Sequence, residues 1–436
     1  MLMVAFHFPP EGGSGTQRTL KFARYLPRFG WDVEVLTVRL EVYDVLDYSL
    51  LKELPASVQV HRAWCIDPAK HLSIRGRHPG FFNFLDRYAY WFPAGLWRGL
   101  RLLRQRHFDV IYSTSPTRTA HLIAGALSYF SRLPWVCDFR DPWLDGDGRE
   151  AIAPMRGARL YFKILTVLER SVVRMARCII ANTQPSLEDL VSRFGQPDKV
   201  LLLPNGFDEE DFTGIAPAPR AAGCELTLLH TGEVYPKLRD PRPLLEAVEM
   251  LLRENAIGPR DLRVRFVGPG AGLDCDEFRA WLADRAVGKL VSIEPRLSHR
   301  ECIAQTLSAD LLLLLQCSPL ANGQIPAKAF EYLRTGRPIL ALAPPDSATA
   351  RLVHSCNAGW VADVRDPKML RDCVLQALAR HKTDALPSDF SRGRDFERSN
   401  LARALGKILE RVAFSSALSP VGAGETSDLS AGRDRQ

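Results

Sequence analysis

Two α/β domains, each a doubly wound parallel sheet, are the fold this sequence predicts. Three observations point there. Apolar or β-branched runs of strand length recur along the chain. Amphipathic stretches of helix length separate them, and the whole alternation restarts after a segment rich in Pro, Ala and Gly at 213–223. Strands alternating with helices build a parallel sheet covered on both faces, because each crossover must carry the chain back along the sheet. The 436 residues leave room for two or three domains, and the restart selects two.

In the first half, strands are expected at 4–8, 32–38, 58–62, 109–114, 135–138, 178–182 and 200–203. Helical patterns lie between them at 17–29, 121–131 and 160–176, where apolar residues recur at helical spacing. In the second half, strands are expected at 225–231, 262–267, 290–293, 311–315, 339–343 and 360–362, with helices at 243–254, 275–285, 299–307 and 327–335. The domain reading is therefore 1–212, a linker at 213–223, and a second domain at 224–414 that includes a terminal helix. Residues 415–436, small and polar, read as a disordered tail. Two such domains joined by a hinge imply an interdomain cleft, with ligands at the carboxyl ends of strands.

Composition narrows the function classes. The chain is 46% hydrophobic and 25% charged, so it can bury cores and is not a disordered protein. No run approaches the ~18 apolar residues of a membrane helix. The opening Met1-Leu2-Met3-Val4-Ala5-Phe6-His7-Phe8 lacks a basic region and meets Pro9-Pro10 at once, so it reads as a strand rather than a signal peptide. Nine scattered cysteines without a C-x-x-C pair suggest reduced thiols in a cytoplasm and argue against structural zinc.

The net charge of +7 is unevenly spread. Residues 1–205 carry 27 Lys and Arg against 19 Asp and Glu, a net of +8, and the remainder carries 30 against 31. The excess is densest over 70–118, where Lys70, Arg75, Arg77, Arg87, Arg98, Arg101, Arg104, Arg106 and Arg118 face only Asp86 and Asp109. Phe81, Phe82, Phe84, Tyr88, Tyr90, Trp91, Phe92 and Trp97 are mixed among them. That mixture suits the anionic face of an inner membrane. The plainer reading is a helix pair with aromatics in the core and arginines in water. No recognition motif accompanies the charge, so nucleic acid is not an expected partner.

Five motifs fall just after predicted strands. Pro9-Pro10-Glu11-Gly12-Gly13-Ser14-Gly15-Thr16-Gln17-Arg18 opens a helix, where glycines allow close approach and free N–H groups attract anions. It is not the G-x-G-x-x-G of dinucleotide sites, because Arg18 takes the last glycine's place; a tight turn is the plainer reading. Asp138-Phe139-Arg140-Asp141-Pro142-Trp143 puts charges at a strand's end, where function or a local ion pair would account for them. Leu203-Pro204-Asn205-Gly206-Phe207-Asp208 is, alone, a turn signal. His230-Thr231-Gly232-Glu233-Val234-Tyr235-Pro236-Lys237-Leu238-Arg239 offers Lys237 and Arg239 to a diphosphate, or simply to solvent. In Ile325-Pro326-Ala327-Lys328-Ala329-Phe330-Glu331, Pro326 suits the first helical position. The N–H groups at 327–329 would then face a ligand anion, and Glu331 a ribose diol or water.

Taken in order, these motifs resemble family 4 of the retaining glycosyltransferases, including members that build bacterial surface glycans. The resemblance runs from Phe8 to about residue 380, and the family's Pro-Asn-Gly-x-Asp segment stands intact at 204–208. It implies the GT-B architecture, two facing Rossmann-like domains, and a nucleotide diphospho-sugar as donor. It places Gly12, Gly13 and Gly15, with Arg18 in the same loop, near the sugar and diphosphate. The family's phosphate-clamping Lys falls on Arg239. Its Arg falls on Glu233, a departure that Lys237 would compensate. Of the family's two glutamates eight positions apart, the second is Glu331, on the ribose. The first falls on Gly323, leaving Asn322 or Gln324 to contact the sugar. Arg140 and Asp141 match the acceptor-side loop; Gly232, Ala327 and Lys328 line the donor; base contacts come from Gly268 and the loop around Arg296.

The implied reaction needs no metal and no cofactor beyond the donor substrate. No Asp-x-Asp motif appears where one would be expected, and fixed N–H groups with Arg239 and Lys237 would stabilise the leaving diphosphate. The acceptor hydroxyl would attack from the face the diphosphate leaves. The acceptor would be a glycan or a polyprenyl-diphosphate-linked sugar, held by a peripheral protein on the inner membrane face. Two rivals remain: a nucleotide-sugar 2-epimerase of the same architecture, and a non-catalytic nucleotide-sugar-binding scaffold.

Overall fold

The computed structural model describes residues 1–13, 15–71, 85–140, 143, 158–218, 226–318, 322–383 and 391–414. The chain divides into two compact units, Met1–Asn205 together with the stretch that starts at Arg398, and Gly206–Glu397. Each is built on one parallel sheet.

In the first unit the strands are β1 (Leu2–Ala5), β2 (Glu34–Val38), β3 (Gln59–Ala63), β4 (Ile111–Thr114), β5 (Trp135–Phe139), β6 (Cys178–Ala181) and β7 (Val200–Leu202). Their order is β3-β2-β1-β4-β5-β6-β7, every pair parallel, with Leu2 opposite both Glu34 and Ile111. The helices are α1 (Thr16–Tyr25), α2 (Trp91–Gln105), α3 (Arg118–Ser131), α4 (Ala158–Met175) and α5 (Gln184–Phe194). The two-residue period of a strand serves both faces of the sheet: Leu2 and Val4 enter one core cluster, Met3 and Ala5 the other.

The second unit has β8 (Leu226–Thr231), β9 (Leu262–Val267), β10 (Val291–Glu294), β11 (Leu311–Leu315), β12 (Ile339–Leu342) and β13 (Gly359–Ala362). They run parallel in the order β10-β9-β8-β11-β12-β13. Its helices are α6 (Arg242–Arg253), α7 (Asp276–Ala283), α8 (His299–Ser308), α9 (Lys328–Thr335), α10 (Ala348–Ser355) and α11 (Pro367–Lys382). The five leucines of β11 show why this strand needs no polar position: Leu311, Leu313 and Leu315 pack into one face's core, Leu312 and Leu314 into the other's. In both sheets the order reverses beside the first strand, between β1 and β4 and between β8 and β11. Ligands bind α/β sheets outside the carboxyl ends of strands at such reversals.

Three sequence expectations are corrected. The terminal helix α12 (Arg398–Phe414), assigned above to the second domain, packs on α1 of the first unit. Its stripe of Leu401, Leu405, Leu409 and Val412 completes that unit's core. The first strand ends at Ala5 rather than at residue 8, because the Phe6 carbonyl is taken by the Tyr43 hydroxyl at 2.7 Å and the Thr37 hydroxyl at 3.0 Å, not by a strand. The helix that opens at Thr16 ends at Tyr25 and tightens into a 3₁₀ turn, Leu26–Phe29, around Pro27 and a left-handed Gly30. The expected tail at 415–436 lies outside the described residues.

Candidate functional site

The carboxyl end of β8 gathers three basic side chains. His230 is fully buried on the strand, and its Nδ1 meets the Leu313 carbonyl of β11 at 2.9 Å. That bond places the proton on Nδ1 and leaves the Nε2 lone pair open. Lys328, the first residue of α9, brings Nζ to 3.3 Å from that Nε2 and donates to the Thr231 carbonyl. Among the described residues no carboxylate pairs with this ammonium. Burial, and after it the nearby Arg239, pushes the Lys328 amine down to about 7. Burial, then Lys328 itself, holds the His230 imidazole well below its ordinary value, so it stays neutral.

Gly232 is required here. Its φ of +86° is a left-handed conformation, and a Cβ would stand 3.2 Å from Lys328 Nζ. Tyr332, one turn beyond Lys328 on the same helix face, has its hydroxyl 3.1 Å from the Thr231 N–H and 3.2 Å from the Thr231 hydroxyl. Tyr332 thus fastens α9 to the end of β8 and sets Lys328 beside the Thr231 carbonyl.

The start of α9 differs from expectation in one respect. Ala327 is the cap and Lys328 the first helical residue, so Pro326 lies ahead of the helix. The Ala329 N–H turns to the Pro326 carbonyl at 2.9 Å, leaving the amides of Ala327 and Lys328 for a ligand rather than all three. Glu331 lies in the first turn, 3.1 Å from His299 Nε2 of α8. Asn322 and Gln324 hold α10 by their carbonyls, accepting from the Ala348 N–H at 2.8 Å and the Thr349 hydroxyl at 3.2 Å. Gly323 lies between them.

Arg239 ends a helical turn, Pro236–Arg239, with its guanidinium 5.4 Å from the centre of the Tyr235 ring and 3.4 Å from the Glu233 carbonyl. Burial lowers its pKa from the ordinary value. The Lys237 side chain lies outside the described ones. Glu233 accepts the Tyr235 hydroxyl at 2.8 Å. Gly268, after β9, has φ +64°, and a Cβ there would stand 3.2 Å from the Arg296 Cα, so glycine lets the two loops touch. The structure therefore brings Gly232, Arg239, Lys328 and Glu331 to one side of the second sheet, and Gly268 against Arg296.

The first unit's loop is occupied from within. The Gly12 N–H donates to the Val45 carbonyl at 3.0 Å, the Gly13 N–H to Glu11 Oε1 at 3.0 Å, and the Thr16 N–H to the Gly13 carbonyl at 3.1 Å. Glu11 also accepts from the Thr16 hydroxyl and lies 3.3 Å from His7 Nδ1. Burial raises its carboxyl, but the His7 and Thr16 bonds prevail and hold it below the ordinary value. A carboxylate at the helix start opposes the anion cradle expected from the glycines.

Arg18 is likewise no open substrate contact. It is 3% exposed, and all five of its N–H bonds are used. Nε and Nη2 grip Asp138 at 2.8 and 3.0 Å, Nη2 also reaches the Leu203 carbonyl at 2.9 Å, and Nη1 takes the Pro204 carbonyl at 2.8 Å and Asn205 Oδ1 at 3.3 Å. Tyr112 and Thr114 hydroxyls complete the Asp138 shell at 2.6 and 2.9 Å. Burial raises the Asp138 carboxyl, yet Arg18 outweighs it and holds it below the ordinary value. Arg140 donates from Nη1 to the Gly15 carbonyl at 2.7 Å and so braces the glycine loop. Asp141 lies outside the described residues.

The basic aromatic window is narrower than its composition suggests. Residues 72–84 lie outside the described ones. Trp91 is buried, Tyr88 stacks on Phe6 at 3.9 Å, and Arg87, Arg106 and Arg118 are bonded to Asp67, Glu34 and the Leu85 carbonyl. Among the described residues Trp97 of this window faces outward, 62% exposed with the Arg101 guanidinium 5.8 Å from the centre of its ring and Arg104 exposed on the same helix; beyond the window, the adjacent α3 exposes Tyr129 and Phe130.

Three contributors escaped the sequence reading: His230 as the partner of Lys328, Tyr332, and His299 beside Glu331. The Lys328–Tyr332 pair was detectable as two side chains with polar ends at i and i+4, one above the other on the same helix face. The His230 role had no local signal, because its partner is 98 residues away.

Comparison with known proteins now places the chain. Residues 12–206 match the model of the glycosyl transferase 4-like domain. D-inositol 3-phosphate glycosyltransferase of Gordonia bronchialis is 23% identical over 363 residues, 74% of this chain and 75% of that one. Among solved structures, sucrose-phosphate synthase of Thermosynechococcus elongatus superposes with TM-score 0.63 at 14% identity, covering 94% of this chain and 98% of that one. Anabaena Alr3699/HepE, in complex with UDP and glucose, gives 0.60 at 15%, covering 94% and 99%. The chain is a glycosyltransferase with the GT-B fold. Its N-terminal segment is a glycosyl transferase 4-like domain.

Proposed function

We propose that the chain transfers a sugar, with retention of configuration, from a nucleotide diphospho-sugar to a glycan or polyprenyl-diphosphate-linked acceptor in surface polysaccharide synthesis. The observation that carries the donor assignment is the convergence of His230, Lys328 and Arg239 at the end of β8. Half-buried cations that no carboxylate pairs among the described residues favour an anion, and a diphosphate carries two charges. The amides of Ala327 and Lys328 would add donors aimed at the charge that develops on the leaving group. Glu331, in the first turn, would take the ribose. A structural relative crystallised with UDP and glucose is consistent with this donor class.

With lysine, arginine and amides to hold the diphosphate, the reaction proceeds without a metal. Arg140 and Asp141 serve the acceptor side, with Arg140 acting through the Gly15 loop it braces. The exposed Trp97, Tyr129 and Phe130 with Arg101 support a peripheral seat on an anionic membrane surface. Among the described residues no helix is long and apolar enough to cross a membrane.

A thermal-shift panel of UDP, GDP and ADP and their sugars, with and without EDTA, tests this reading. One nucleotide should raise the midpoint regardless of EDTA, since a ligand that binds only the folded state stabilises it by mass action. No shift with any nucleotide would overturn it. The scaffold alternative keeps one point in its favour, Gly323 in place of the family's first glutamate. Turnover of the shifting nucleotide sugar excludes it.

A further inference from the structure

We propose that diphosphate binding at this site is proton-linked: the ligand draws a proton from solvent onto the Lys328 amine, and His230 is the positioning residue that holds Nζ where the phosphate meets it. The inference rests on the donor reading above and deepens it.

The geometry makes the argument. Lys328 Nζ has three N–H bonds when charged. Two are committed, to the Thr231 carbonyl and to His230 Nε2, and the third is left for a ligand over Gly232. The groups facing it are His230 on β8, Arg239 beyond that strand, Cys302 on α8 and Glu331 on its own helix. Glu331 favours the charged lysine but is not bonded to it, whereas burial and Arg239 disfavour it. The His230 imidazole cannot supply the missing charge, because its Nδ1–H is fixed on Leu313 and burial keeps the ring neutral. The free site therefore holds a lysine that is about half charged near pH 7. A diphosphate reverses the balance. Its negative charge repays the desolvation of the ammonium, so the lysine's pKa rises on binding. The step forms one N–H bond at Nζ, breaks no covalent bond in the ligand, and takes its proton from buffer.

The consequence is a signature that a permanently charged clamp lacks. Affinity is greatest below pH 7 and falls as pH rises, and binding consumes protons in the same range. UDP-glucose is the suitable probe, because its diphosphate diester has no group that titrates there, unlike the terminal phosphate of UDP.

Calorimetric titration of the full chain with UDP-glucose, from pH 6 to pH 9 in buffers of different ionisation heat, tests the proposal. The native protein should take up about half a proton or more at pH 7.5 and lose about tenfold in affinity across the range. Lys328→Arg keeps a charge that cannot titrate, so it should bind with a flat pH profile and no uptake. His230→Phe removes the acceptor of the charged lysine, and should move the fall in affinity to lower pH. Binding of UDP-glucose by the native protein without proton uptake would overturn the proposal and leave the donor reading standing. Uptake that persists in Lys328→Arg would assign the proton to another group and overturn it too. An unchanged pH profile in His230→Phe would remove His230 from it. If neither UDP-glucose, GDP-mannose nor ADP-glucose binds at any pH, the donor reading fails first and carries the proposal with it.

Discussion

Each sheet has a cation at the carboxyl end of a strand, Arg18 on Asp138 of β5 and Lys328 at Thr231 of β8, and the two cations are treated in opposite ways. Arg18 follows β1, is buried, and spends every donor on Asp138, two backbone carbonyls, the Leu203 carbonyl among them, and the Asn205 side chain. Lys328 reaches the end of β8, meets a neutral imidazole and one carbonyl, and has no carboxylate partner among the described residues. A cation with its counter-charge built in is a fastening. One left half-neutralised is prepared for a charge that arrives from outside. The contrast separates a part of the molecule that holds the fold from a part that binds, although both residues look alike as basic side chains after a strand.

The largest effect that sharpens this contrast is on stability. Arg18→Met strands a buried Asp138 carboxylate and should cost about 3–5 kcal/mol, read by urea unfolding of the full chain. Adding Asp138→Asn should recover part of the loss, and no recovery would mean that Arg18 acts through its backbone contacts alone. Lys328→Met should behave in the reverse sense, leaving the unfolding midpoint unchanged or raised at pH 7. The sign follows from its lowered pKa. A lysine at about 7 when folded and at its ordinary value when unfolded holds fewer protons in the folded state between those limits. The native protein therefore gains stability as pH rises through that window, and Lys328→Met should not. A Lys328→Met protein that loses stability like Arg18→Met would erase the distinction.

Ligand binding gives the next effects. Arg239→Ala should lower affinity for nucleoside diphosphates by about tenfold, the worth of one charge-assisted contact. Glu331→Ala should weaken UDP severalfold more than inorganic pyrophosphate, because only UDP carries a ribose; equal losses would show that Glu331 does not read it. The smallest effect is at the outer face of the first unit. Trp97→Ala should reduce co-sedimentation with anionic vesicles and leave neutral vesicles unaffected. Unchanged sedimentation would return the window to a solvated helix face.

The two sheets were legible because each strand's apolar run and each helix's stripe are local patterns, as in the five leucines of β11. The terminal helix was assigned to the wrong unit for the complementary reason. The stripe Leu401, Leu405, Leu409 announces a helix, but nothing in it says which core it completes. The site shows the same division. Gly232, Lys328 and Glu331 were readable from motif order. The burial of Arg18 was not, because its partners Asp138 and Leu203 are brought to it only by the sheet. The glycine loop misled most, since its amides look free in sequence and are consumed by Val45 and Glu11 in the fold.

The central claim is that the end of β8 and the start of α9 hold a donor diphosphate. A crystal structure of the full chain with UDP tests it most directly. A phosphate oxygen should lie within hydrogen-bond distance of Lys328 Nζ, above Gly232, with the Ala327 and Lys328 amides facing the same group. UDP bound elsewhere, with no phosphate beside Lys328 Nζ, would contradict it.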